Sequence, residues 1–176
     1  SSGVEFERTF MGNYYTSFPT ASGTINFARG QRFYGCWQES YELTDWVLQN
    51  FLSGTDFRYA WFACPKLDTF ESGQFDYTGT LVPNAFEGAF TDCALTATAL
   101  TNILSSLDTN AKKGVNTAIT LDINGGTNAP RYQGSSGTTL TAGWPETEFN
   151  SLISIGWTIT YNKYAGESDT LPAKFY

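Results

Sequence analysis

The sequence predicts an α/β repeat solenoid, and three observations predict it. Phe33, Trp37, Leu43, Trp46 and Phe51, moved forward by 24 residues, fall on Phe57, Trp61, Leu67, Phe70 and Phe75, an apolar residue on an apolar residue each time. A further copy follows at an offset of 29, where Phe57, Ala60, Trp61 and Cys64 meet Phe86, Ala89, Phe90 and Cys93. Beyond Thr96 two helix-strand units follow one another. Periods of this length mark stacked units, each too small to bury its apolar face alone.

Taken in order, residues 1–14 are expected to be a cap or arm, with Phe6, Phe10 and Tyr14 in rough alternation with polar residues through Val4 to Tyr15. The opening Ser1-Ser2-Gly3 has no charged and apolar halves of a signal peptide and resembles a cloning scar. Repeats are assigned to residues 15–95. A degenerate first copy begins at Tyr15, with Thr16-Ser17-Phe18-Pro19 in the place of Thr44-Asp45-Trp46, and Gly79 to Pro83 absorb the five extra residues as a loop.

Residues 96–162 read as helix-strand capping units. Leu100, Ile103, Leu104 and Leu107 lie at i, i+3, i+4 and i+7, one face of an amphipathic helix with Thr96 or Thr98 available as N-cap. Ile119, Leu121 and Ile123 then alternate through Ala118 to Ile123, the period of a half-buried strand. A turn-rich loop opens at Asn124-Gly125-Gly126-Thr127-Asn128 and continues through Gly134-Ser135-Ser136-Gly137. Loops of this size are usually functional or mobile. A second helix is expected with Pro145 in its first turn, Phe149, Leu152 and Ile153 on one face, and Gly156 ending it. Trp157 to Tyr161 alternates as a strand, and residues 163–176 form a polar tail, disordered or docked on a partner. The whole is expected to be a single domain, long enough for a continuous core.

The repeated unit reads Phe-x-x-Ala-Trp-x-x-Cys-x-x-Leu-x-x-Phe, most cleanly from Phe57 to Phe70. It resembles the leucine-rich repeats of the BspA-like bacterial surface proteins, whose units carry a Met-Phe-x-x-Cys-x-x-Leu or Ala-Phe-x-x-Cys-x-x-Leu core. The versions most similar to Ala60-Trp61-Phe62-Ala63-Cys64-Pro65-Lys66-Leu67 are those of phage virion and tail-fibre proteins. The match covers residues 15 to 100, with departures at Cys36 and Ser40 and at Leu95, which follows Cys93 by two positions rather than three. The resemblance implies a short leucine-rich-repeat-like stack with a C-terminal helix-strand cap. It also implies a virion or surface setting and a binding or structural role, and it brings no catalytic residues.

Composition agrees with a recognition role. Aromatics make up 16% of the chain and charged residues only 15%, against roughly 25% in ordinary soluble domains. The surface must therefore be covered by Ser, Thr, Asn and Gly. A net charge of −7 and scattered basic residues, with Lys112-Lys113 the only adjacent pair, argue against a nucleic-acid partner. No stretch approaches the roughly 18 apolar residues of a membrane span, so no membrane insertion is expected.

The chain has no histidine, which removes Ser-His-Asp and Cys-His sites and the commonest general base. Gly125-Gly126 lacks the Lys and helix of a phosphate-cradling loop. Three cysteines leave one thiol unpaired; Cys64 and Cys93 hold equivalent repeat positions and are expected adjacent, buried and reduced, although a bridge between them is geometrically conceivable. Zinc prefers four Cys or His ligands, so neither a metal nor a cofactor is expected. What remains is a carboxylate pair among Glu39, Glu42, Asp45, Asp68, Glu71 and Asp76, the constellation a glycosidase needs.

Exposed aromatics are the other lead, because flat rings with polar tips grip sugars and protein partners alike. Tyr34 and Tyr59 follow the repeat Phe outside the apolar set, and Asn124, Asn128 and Tyr132 lie in the long loop; these five are the candidate ligand-binding residues. The expectation is a non-enzymatic module of a phage virion, in a tail fibre, spike or capsid surface. It would recognise a host-surface glycan or protein or a neighbouring virion subunit, with homo-oligomer formation possible. The alternatives are a bacterial cell-surface adhesin domain, placed at the cell surface or outside the cell, and a glycan-cleaving enzyme using a carboxylate pair.

Overall fold

The repeat positions are occupied by rings laid face to face. Phe33, Phe57 and Phe86 form one column, with centroids 5.2 and 5.1 Å apart and planes within 6°. Trp37, Trp61 and Phe90 form its continuation at 5.3 and 5.0 Å. On the opposite wall Trp46 lies over Phe70 and Phe51 over Phe75, both at 6.0 Å. Contacts between the walls are edge-on, as between Phe57 and Phe75 at 72° and Trp46 and Trp61 at 80°. Parallel rings within a column and perpendicular rings between columns satisfy the aromatic quadrupole in both directions.

The computed structural model describes residues 4–18, 27–47, 49–111, 118–134, 139–165 and 167–171. The expectations placed on Ser1-Ser2-Gly3, Pro19, Lys112-Lys113, Ser135-Ser136-Gly137 and the last five residues of the tail lie outside these. The elements are β1 (Val4–Glu5), β2 (Gly30–Arg32), β3 (Asp45–Trp46), β4 (Thr69–Phe70), α1 (Ala97–Ala111), β5 (Thr120–Ile123), α2 (Glu146–Ser154), β6 (Thr158–Tyr164) and β7 (Glu167–Leu171).

This architecture corrects the expected α/β repeat solenoid with its leucine-rich-repeat-like stack. Among the described residues there are two helices, both beyond the repeats, and three separate small sheets, β1-β2, β3-β4 and β5-β6-β7. A leucine-rich stack requires every unit to give a strand to one continuous parallel sheet. Here the units turn where that strand would run. Gly35, Glu39, Tyr59, Ala63, Gly88 and Asp92 all take positive φ, between 55° and 64°. Backbone bonds such as Cys36 N–H to Phe33 O and Ala60 N–H to Phe57 O close tight turns around them. A positive φ at the third turn residue belongs to a type II turn and cannot be part of an extended strand. Between units, alternate residues still bond: Phe33, Gly35, Trp37 and Glu39 donate to the carbonyls of Asp56, Arg58, Ala60 and Phe62.

The N-terminal stretch is a further layer of the same kind. β1 pairs in parallel with β2, and Phe6, Arg8, Phe10 and Gly12 donate to Arg32, Tyr34, Cys36 and Gln38. Phe6 stacks on Phe33 at 2° and Phe10 on Trp37 at 9°. Where the degenerate copy is placed at Tyr15, Ser17 bridges Asp45, and Phe18 stacks on Trp46 at 5.0 Å.

At the other end Thr96 caps α1, its Oγ1 accepting from Ala99 N–H at 3.2 Å, and Leu100, Ile103, Leu104 and Leu107 are buried. Ser106 and Asn110 tie the helix to the ring wall through the backbone of Phe75. α2 starts after Pro145, which sits at the N-cap rather than inside the first turn, and ends before Gly156 at φ 106°. β5 and β6 run parallel, with Ile119, Leu121, Ile123, Trp157, Ile159 and Tyr161 buried. The tail expectation is corrected over residues 167–171: β7 pairs antiparallel with β6 and is docked on the chain itself.

Candidate functional site

Tyr34 and Tyr59 meet on the outer side of the first ring column. Their centroids are 5.6 Å apart at 62°, and both side chains are half-buried. They reach this contact from different turn positions. Tyr34 is the second residue of its turn, whereas Tyr59 is the third, at φ 56°, where the neighbouring units carry Gly35 and Gly88. The left-handed region costs an L-residue roughly 1–2 kcal/mol, so a tyrosine there is held against a local preference for glycine. Gly88 makes the room: a Cβ built on it would come within 2.5 Å of the Tyr59 ring. Burial is the main cause that pushes the Tyr59 hydroxyl above its ordinary value, followed by the charge of Glu87.

Two guanidinium groups flank Tyr34, Arg8 at 5.7 Å and Arg58 at 5.4 Å from its ring centroid. Arg58 is fixed by a bidentate pair with the buried Asp56, at 2.9 and 2.6 Å, which raises its pKa. Arg8 is exposed and has no ion-pair partner among the described residues. A cation over a ring face is worth about 0.5–1 kcal/mol at an exposed site, so these contacts orient the Tyr34 ring more than they stabilise the fold. Sequence reading passed over both arginines. The signal available was the four-residue Phe6 to Phe10 spacing, which matches Phe33 to Trp37 and sets Arg8 beside Tyr34.

The loop candidates do not join this pair. Asn128 is 2% exposed, and its side chain accepts from Leu95 N–H at 2.8 Å and donates to the carbonyl of Phe90, so it holds the loop and is not offered to a ligand. Asn124 is half-buried, its Oδ1 accepting from Thr91 Oγ1 at 3.2 Å. Tyr132 packs near Tyr164 at 6.1 Å and under Arg131, which is held by Glu146.

Of the carboxylates, Glu42 is held by Lys66 at 2.6 Å, and Glu39, Asp45 and Asp68 accept from their neighbours Gln38, Thr44 and Thr69. The three thiols are free and buried; Cys64 donates to Trp37 O at 3.3 Å and Cys93 to Trp61 O at 3.1 Å. Burial pushes the Cys64 thiol up to about 12 and also raises those of Cys36 and Cys93. They are inert packing groups. Among the described residues no group of three or more potential ligands is placed to hold a metal ion, and no helix is long and apolar enough to cross a membrane. No family model, curated protein or solved structure matches the chain.

Proposed function

We propose that the chain is a non-enzymatic binding or structural module of a phage virion, a part of a tail fibre, spike or capsid surface. It recognises a host-surface glycan or protein, or a neighbouring virion subunit, through the Tyr34–Tyr59 face. The observation that carries the recognition role is Tyr59: a large ring kept at a glycine-preferring backbone angle, over a glycine that makes room for it, beside a second tyrosine framed by two arginines. The virion setting is supported by the resemblance of the Phe57–Phe70 motif and by the charge-poor composition.

The test is binding of labelled protein to bacterial cells and to their isolated surface polysaccharide, with Tyr59→Gly as the fold-preserving variant. Loss of binding with unchanged far-ultraviolet circular dichroism is expected. Undiminished binding by Tyr59→Gly and Tyr34→Ala would overturn the face, and release of small sugars, abolished by replacing two nearby carboxylates, would replace the reading with an enzyme.

A further inference from the structure

The turn layers pass their hydrogen bonds along the stack in one direction only. Arg8 and Phe10 donate to the carbonyls of Tyr34 and Cys36, and one layer further on Gly35 and Trp37 donate to those of Arg58 and Ala60. The N–H groups in between are used inside the turns, as Thr9 to Phe6 O and Met11 to Arg8 O in the first layer. Each layer therefore offers donors to the layer that follows it and carbonyls alone to the layer before.

The first layer is open on its carbonyl side. The carbonyls of Glu7, Thr9 and Met11 hold the places of those of Tyr34, Cys36 and Gln38, and they accept from no described residue. Phe6 and Phe10 head the two ring columns, stacked on Phe33 and Trp37. The rings further along those columns are 0% exposed, whereas Phe6 and Phe10 are only partly buried. Val4 and Met11 of the same layer are 46% and 44% exposed. A stack sealed at its end carries a polar outer face there. This end carries ring faces beside a row of acceptors.

The polarity of that row selects what can cover it. A second copy bringing the same end would set carbonyl against carbonyl. An ordinary strand edge, that of β7 included, places a carbonyl beside each N–H, so half of its groups would meet acceptors. A further turn layer matches both features, with N–H groups at every second residue and rings four residues apart. The chain's own pairs of this kind, Phe33–Trp37, Phe57–Trp61 and Phe86–Phe90, are already committed to interior layers. We propose that the Phe6–Gly12 end is an assembly interface that receives one turn layer from a partner polypeptide of the pattern aromatic-x-x-small-aromatic. Its N–H groups donate to Glu7, Thr9 and Met11, and its two rings cover Phe6 and Phe10. This surface differs from the Tyr34–Tyr59 face, so either reading can fail without the other.

The test is titration of the ¹⁵N-labelled protein with an acetylated and amidated peptide of the sequence Thr55 to Ala63. That stretch supplies Phe57, Ala60 and Trp61, has no cysteine, and in register sets Arg58 over Glu7. Saturable shifts of the backbone amides from Phe6 to Gly12 are expected. The same peptide N-methylated at Trp61 keeps both rings but lacks the donor for Thr9 O, and it is expected to give no saturable shifts. A peptide with serine in place of Phe57 and Trp61 is expected to give none either. Absence of saturable shifts with the parent peptide, or equal shifts with either altered one, would overturn the proposal. Equal shifts with an alternating Val-Thr peptide would make the end an ordinary strand acceptor, and shifts of these amides with protein concentration alone would give it to a second copy; each would overturn it as well.

Discussion

The indole of Trp61 lies parallel to the ring of Phe90, centroids 5.0 Å apart and planes 3° from coplanar, while Trp37 covers its other face at 13°. Trp61 is fully buried and its Nε1 has no hydrogen-bond partner among the described residues. Removing the ring and removing the nitrogen should therefore have different effects. Trp61→Ala is expected to cost about 3–5 kcal/mol. Trp61→Phe keeps a ring in the column and deletes a buried unpaired donor worth about 1–3 kcal/mol, so it should stay within about 1.5 kcal/mol of the parent. Urea midpoints of the two variants check the difference, and equal losses would contradict the stacking order.

Tyr59→Gly releases a left-handed strain of roughly 1–2 kcal/mol and adds the unfolded-chain entropy of glycine, about 0.5–1 kcal/mol. With the ring contact to Tyr34 also lost, the net change is expected to lie within about 1 kcal/mol of zero. A drop of several kcal/mol in equilibrium unfolding would show that the ring is a fold element and not a surface one.

Gly88→Ala puts a methyl group 2.5 Å from the present Tyr59 ring position, at φ 64°. The ring must swing away and the backbone is strained. Stability should fall by about 1–2 kcal/mol, and surface binding should fall with it although Gly88 itself presents no side chain. A binding assay of this variant against Tyr34→Ala separates displacement of the ring from its deletion.

Cys64 is a thiol whose folded pKa, about 12, stands above its ordinary value of 9.0. Its contribution is complete below pH 9, where folded and unfolded chains both hold the proton. Between about pH 9 and 12 the unfolded chain releases it first, and stability falls by up to about 1.4 kcal/mol per pH unit for each such thiol. Cys64→Ala should flatten the alkaline limb of stability against pH relative to the parent and leave the limb below pH 8 parallel to it.

Much of the core was legible because its period is carried by bulky rings, which cannot be exchanged without loss of packing. Phe18 in the place of Trp46, the Thr96 cap and the Gly156 stop follow from side-chain chemistry that a sequence displays. The turns were not legible. Glu39, Ala63 and Asp92 take positive φ because of the ladder bonds made by adjoining units, and nothing in those residue types announces it. That silence is why a continuous sheet was expected where turns occur. β7 was missed for a related reason: Glu167 to Leu171 is mostly polar, and only its pairing with β6 makes it a strand. In the site, Tyr34 and Tyr59 stand out in the sequence only as rings outside the apolar set, while their contact with each other and the Arg8 beside Tyr34 depend on neighbours distant in sequence.

Most of the bonds between layers join residues far apart along the chain, with separations such as 24 for Thr55 to Gln31 and 35 for Asn110 to Phe75. The β6-β7 hairpin is the local exception, with Asn162 opposite Ser168. Loop-closure entropy rises only slowly with length, so each layer faces nearly the same kinetic barrier, and none forms before the next stretch of chain exists to receive its donors. During synthesis the Phe33–Trp37 layer must wait for Asp56 to Ala60, and that stretch for Ala85 to Ala89. Until then one face of each ring layer stands uncovered, the kind of transiently exposed apolar surface that is prone to aggregate.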